Sequence, residues 1–120
     1  EPGANVLEAL LQQAQNGECT LSMHKLNMLE IYYGVFREDG QAKAEEVLAK
    51  ILALPITVIE NFSETVFKEA GRLTAGYSIS LADAIALAEA KTRNAQLATS
   101  DHHEFDPIEK QKDVKFYWIR

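Results

Sequence analysis

Apolar residues recur at helical spacing at the start of the chain: Val6, Leu7, Leu10, Leu11 and Ala14 share one face, and Asn16–Gly17 closes the segment. Cys19 to Met23 is short and partly alternating, which predicts a strand. From His24 to Arg37 the apolar positions Leu26, Met28, Leu29, Ile31, Tyr32, Val35 and Phe36 fall on nearly every side of a helix. Such a helix is expected to be buried, so Glu30 in its middle stands out. Asp39–Gly40 is a turn signal. Ala44, Val47, Leu48, Ile51 and Leu52 form the stripe of the next helix, which must stop before Pro55. The β-branched run Ile56 to Ile59 predicts a strand. Ser63 and Glu64 open a helix carrying Val66, Phe67, Ala70 and Leu73 and ending at Gly76. Ser80 opens an alanine-rich helix that ends at Asn94. Gln96 to Ser100 predicts a strand, a loop containing Asp106–Pro107 follows, and Val114 to Ile119 predicts a last strand.

The order is α, β, α, α, β, α, α, β, β. Strands separated by helices imply an α/β domain whose mainly parallel sheet is covered on both faces. In such sheets functional groups collect beyond the carboxyl ends of the strands. Asp101 lies at such an end, directly after Thr99 and Ser100, which are polar where a buried strand stays apolar. Asp83 lies in the first turn of its helix. Ser80-x-x-Asp83 resembles a capping box, and an acid there also suits the helix dipole. Glu30, flanked by apolar residues, calls for a partner, because burying a lone charge is costly.

Composition narrows the field. The 120 residues suit one domain, 47% are hydrophobic and 25% charged. Cys19 is the single cysteine, which excludes an internal disulfide and a multi-cysteine zinc site and fits a reducing cytosol. No apolar run approaches the roughly 20 residues of a membrane span. The net charge of −6 makes the chain a poor general polyanion binder. Dinucleotide, P-loop and nucleophile-elbow glycine motifs do not occur. His102 and His103, adjacent in an extended loop, would point apart and are not expected to share a metal. Tyr117 and Trp118 read as edge-strand packing rather than a base-stacking platform.

Three stretches together resemble the PIN domain, in particular the VapC-type ribonuclease toxins of toxin–antitoxin pairs. They are LNMLEIYYGV with Glu30, SISLADAIALAEA with Ser80 and Asp83, and AQLATSDHHEF with Thr99, Asp101 and Glu104. The opening EPGANVLEALL is similar to the stretch after the family's first strand. The resemblance implies a three-layer α/β/α sandwich with a mainly parallel central sheet. It also implies a carboxyl edge where Glu30, Asp83, Asp101 and Glu104 hold Mg²⁺ or Mn²⁺, supported by Ser80 and Thr99. Two carboxylates 4 Å apart repel by roughly 4 kcal/mol at an effective dielectric near 20, so a cluster of them takes up protons or a divalent cation. Hard oxygen ligands suit Mg²⁺ or Mn²⁺.

The implied activity is metal-dependent cleavage of single-stranded RNA by a cytoplasmic, homodimeric toxin held inactive by an antitoxin. The family's first strand ends in an Asp that completes the metal site. It has no counterpart here, so residues 1–120 are expected to be a single PIN-like domain lacking its N-terminal strand. Glu104 stands where many members have Asp. A second reading is an inactive PIN-like module that binds protein or RNA. A third, a receiver-like phosphoacceptor, needs an acid pair after a first strand and a lysine after a late one, and neither is visible.

Overall fold

Ten elements follow one another in the computed structural model, which describes residues 3–99, 102–111 and 113–119, with the side chains of 102–104 outside the description. They are α1 (Ala4–Gln15), β1 (Ser22–His24), α2 (Lys25–Asp39), α3 (Gln41–Leu52), β2 (Thr57–Ile59), α4 (Glu64–Gly76), α5 (Leu81–Thr92), β3 (Gln96–Thr99), α6 (His102–Lys110) and β4 (Lys115–Trp118). The chain divides into two compact units, one of Glu8–Glu60 and one of Glu1–Leu7 with Asn61–Arg120.

In the 8–60 unit β1 and β2 pair in parallel, with Ser22 opposite Thr57 and His24 opposite Ile59. Cys19 falls before β1 rather than within a strand; its Sγ lies 3.9 Å from the Leu10 carbonyl oxygen. His24 is buried, and its Nδ1 accepts the Leu26 N–H at 3.0 Å, which caps α2. Gly40, at φ 91°, ends α2 and starts α3: its N–H donates to the Phe36 carbonyl and its carbonyl accepts from Ala44. A side chain would be strained at that φ, so the Asp39–Gly40 signal was sound. The expected burial of α2 is not found. Met28 is its one buried residue, while Leu29 and Tyr33 are 51% and 46% exposed and Phe36 is exposed too. A helix apolar all round needs cover on every side. Among the described residues α2 is fully covered only at Met28.

The second unit is built on α4 and α5. Val66, Ala70 and Leu73 form the buried stripe of α4, and Ser63 Oγ accepts the Val66 N–H at 3.2 Å to cap it. In α5 Ala84, Ile85, Leu87, Ala88 and Ala90 are buried; small alanine side chains let neighbouring backbone come close on several sides. Asn94, at φ 52°, takes the left-handed conformation that ends α5. β3 and β4 pair in parallel, Gln96 opposite Lys115 and Thr99 opposite Trp118. All pairing among the described strands is thus parallel, in two two-stranded sheets.

Residues 102–110, expected as a loop, form α6 with Pro107 inside it. Proline removes one helical hydrogen bond, which argues for a loop. Burial overrides it: Phe105 and Ile108, one turn apart, are 4% and 0% exposed, and the Phe105 ring lies 5.7 Å from that of Phe116 on β4.

The turn from α6 into β4 is anchored by charge. Asp113 accepts from Arg72 Nη2 at 2.6 Å, Lys91 Nζ at 2.8 Å and Tyr77 Oη at 2.9 Å, and Glu69 also pairs with Arg72 and Lys91. Burial pushes the Asp113 carboxyl up, but the bonds from Arg72, Lys91 and Tyr77 outweigh it and hold it well below the usual carboxylate range. The Arg72 hydrogen bond likewise lowers Glu69. Carboxyls lowered in the folded state stabilise it above their unfolded pKa and lose that contribution as pH falls. Replacing Asp113 with Asn should therefore cost about 1–2 kcal/mol at neutral pH, a modest figure because Arg72 and Lys91 are partly solvated. The gap to the parent protein should narrow as pH drops from about 4 toward 2. Thermal melts across that range check it; a gap independent of pH would show that the carboxylate charge is not what stabilises the turn.

Candidate active site

Asp83 is the third residue of α5. Ser80 caps that helix with φ −71° and ψ 159°, and its Oγ accepts the Asp83 N–H at 3.1 Å. Ser80 also accepts the Ala84 N–H at its carbonyl, 3.0 Å away. The serine thus fixes the backbone on which the half-buried Asp83 stands, and it does so through the main chain of Asp83, leaving the carboxylate out of the capping bond. Acid in a first helical turn also gains from the helix dipole.

Thr99 closes β3, half-buried, in register with Trp118. Asp101, two residues further along, lies outside the described residues. Glu104 belongs to the backbone of α6, its side chain outside the description, as are those of His102 and His103. These histidines stand on a helix and not in the extended loop that the sequence suggested.

Glu30 lies within α2, in the 8–60 unit, and its side chain is exposed. Solvent reaches it, so the burial argument that marked it out does not hold: Leu29 and Ile31 beside it are exposed as well. Ser80 and Asp83 are joined by a hydrogen bond, and with Thr99 they belong to the other unit. Among the described residues no group of three His, Cys, Asp or Glu side chains is placed to hold a metal ion. The candidate set, two Glu and two Asp, offers only hard oxygen donors, which is the chemistry Mg²⁺ or Mn²⁺ prefers.

Sequence reasoning took His24 only as the start of a helix. It is a buried polar residue at the end of β1, and its position directly before an apolar run is the signal for the capping role it plays. The buried Glu89 on α5 is paired with Arg93 at 3.0 Å.

The profile of the PIN domain matches residues 1–110. The chain belongs to the PIN domain family. The described strands form two short parallel pairs, one in each unit, consistent with the family's three-layer α/β/α fold. Two solved structures share it. One is described as VapBC2 from Rickettsia felis bound to a DNA fragment from their promoter, with TM-score 0.70, 20% identity, and coverage of 93% of this chain and 83% of that one. The other is a toxin–antitoxin complex from Klebsiella pneumoniae, with TM-score 0.55, 22% identity, and coverage of 87% and 88%. At such identities the likeness is one of fold. Comparison with curated proteins finds no match. No described helix is long and apolar enough to cross a membrane.

Proposed function

We propose that this PIN domain is a metal-dependent endoribonuclease that cleaves single-stranded RNA, and that it is the toxin of a toxin–antitoxin pair working in the cytoplasm. The observation that carries the reading is the family match, which runs through Glu30, Asp83, Asp101 and Glu104 alike. In this reading residues 1–120 act as one PIN-like domain, and the four acids serve one site.

Glu30, Asp83 and Asp101 would hold Mg²⁺ or Mn²⁺, with Glu104 as a fourth ligand. Bound there, the cation supplies an activated water and neutralises charge developing on the scissile phosphate. The chain's own part is to keep the acids apart from other duties. Ser80 takes the capping load at the start of α5, so Asp83 is not consumed by it. Thr99 ends the strand that leads to Asp101.

A protein partner belongs to the reading. The neighbours of this fold are toxin–antitoxin complexes, and α2 leaves Leu29, Ile31, Tyr33 and Phe36 exposed, more apolar surface than a helix in water favours. We assign that surface to protein contact, by an antitoxin or by a second copy in a homodimer.

The test is cleavage of end-labelled single-stranded RNA. Cleavage should require added Mg²⁺ or Mn²⁺ and stop with EDTA. Cleavage that persists in EDTA would overturn the metal mechanism. Tight RNA binding without cleavage under any metal condition would replace the enzyme by a binding module.

A further inference from the structure

We infer that Asn16 is a site of spontaneous deamidation, a modification that places a new carboxylate at the end of α1 and loosens that end.

Sequence and exposure single it out. An asparagine side chain reacts with the main-chain nitrogen of the next residue, and a side chain on that residue hinders the approach. Asn16 precedes Gly17, whereas Asn5, Asn27, Asn61 and Asn94 precede Val6, Met28, Phe62 and Ala95. Asn16 and Gly17 are both exposed, and nothing lies within 4 Å of the place a Cβ on Gly17 would take. Asn5 and Asn27 stand inside α1 and α2, where the helical backbone holds the next nitrogen in place. The Ala95 N–H, next to Asn94, is tied to the Ala90 carbonyl at 2.8 Å.

The turn holds the reacting groups in two opposed ways. Gly17, at φ 78°, donates its N–H to the Ala14 carbonyl at 3.1 Å, and the Glu18 N–H donates to the Gln13 carbonyl at 2.9 Å, the double bond of a Schellman cap. The Gly17 nitrogen must leave Ala14 before it can attack, which slows the reaction. That bond lies in an exposed helix end, where local opening costs far less than unfolding. Gln12 Nε2 donates to Asn16 Oδ1 at 3.1 Å, on the oxygen that gains negative charge under attack, which favours it.

In the reaction the Gly17 nitrogen gives its proton to hydroxide and bonds to Cγ of Asn16. The Cγ–Nδ2 bond breaks, and the amide nitrogen leaves as ammonia with a proton from water. Water then opens the five-membered imide at either carbonyl, giving aspartate or isoaspartate. The Asn16 Nδ2 bond to Glu18 Oε2, 3.3 Å long, is lost, and two carboxylates stand where one stood. A carboxylate at a helix C-terminus also opposes the dipole. Isoaspartate lengthens the main chain by one carbon, which moves the Gly17 and Glu18 N–H groups off their carbonyls.

The experiment incubates the protein, folded and in urea, in mildly alkaline buffer and maps the peptides by mass spectrometry over time. Asn16 should convert first of the five asparagines, to both products. The denatured chain should convert roughly two- to tenfold faster, the factor for an opening that costs what a helix cap contributes. Asn16→Asp, which mimics one product, should exchange its Gly17 and Glu18 amide protons roughly two- to fivefold faster than the parent. Asn16 left intact in the folded protein after the denatured chain has reacted through would overturn the inference, as would another asparagine converting as fast. Amide exchange in Asn16→Asp no faster than in the parent would overturn the loosening of α1.

Discussion

The Asp83→Asn protein folds and melts like its parent and has lost RNA cleavage by at least about a hundredfold. This is the expected result, and it follows from how α5 begins. An amide has nearly the size of a carboxylate, so packing around the half-buried position is kept. The capping bond runs from the main-chain N–H of Asp83 to Ser80 Oγ, and asparagine leaves it in place. What the change removes is the negative charge: about 0.3–1 kcal/mol of interaction with the helix dipole, small for stability, and one oxygen anion for the cation, large for activity. Asp101→Asn should lose cleavage to the same degree, and both proteins should bind Mn²⁺ more weakly in a metal titration. An Asp83→Asn protein with near-parental cleavage would mean that Asp83 serves the helix alone, and the metal mechanism would fall with it.

The readability of this chain follows how local each cause is. α4 and α5 were legible because each states its own ends: Ser63 and Ser80 cap them, and Asn94 supplies the left-handed residue that stops α5. The stripe Val66, Ala70, Leu73 showed which side of α4 is buried. The parallel β1–β2 pair followed from strands separated by helices, whereas the helix that makes the β3–β4 crossover was read as a loop. The misreadings share one origin, contacts distant in sequence. α6 looks like a loop because Asp106–Pro107 is a turn signal, and only the burial of Phe105 and Ile108 explains the helix. α2 looks like a core helix because its apolar residues point everywhere, yet pattern cannot say whether cover comes from the same chain. Glu30 was singled out partly on that mistaken burial, so its proposed role rests on the family resemblance and not on desolvation. The Ser80–Asp83 start of the helix could be read from four residues. The proposed joint site of Glu30, Asp83 and Asp101 could not, since these acids are 53 and 18 positions apart in the chain and no local pattern encodes a shared site.

The second large effect is on stability, at Ile108. α6 has nine residues, fewer than the roughly 12–15 at which an isolated helix becomes even marginal, and Pro107 takes one of its hydrogen bonds. Little in its own sequence holds it as a helix. Ile108, with no exposed surface, and Phe105 hold it by burial, and Glu109 adds the bond to the Trp118 indole. Ile108→Ala should therefore cost about 2–5 kcal/mol, and Ile108→Val about 1 kcal/mol. The upper part of that range is a large share of the roughly 5–15 kcal/mol by which domains are stable. Denaturant unfolding of the three proteins measures it. Trp118 adds a local reading: when α6 loosens, the indole loses Glu109, and its emission should shift to the red at lower denaturant than the loss of far-ultraviolet helical signal, which α4 and α5 dominate. Coincident transitions would mean that α6 unfolds only with the rest of its unit. An Ile108→Ala cost below about 0.5 kcal/mol, the range of a surface substitution, would remove burial as the reason this segment is a helix.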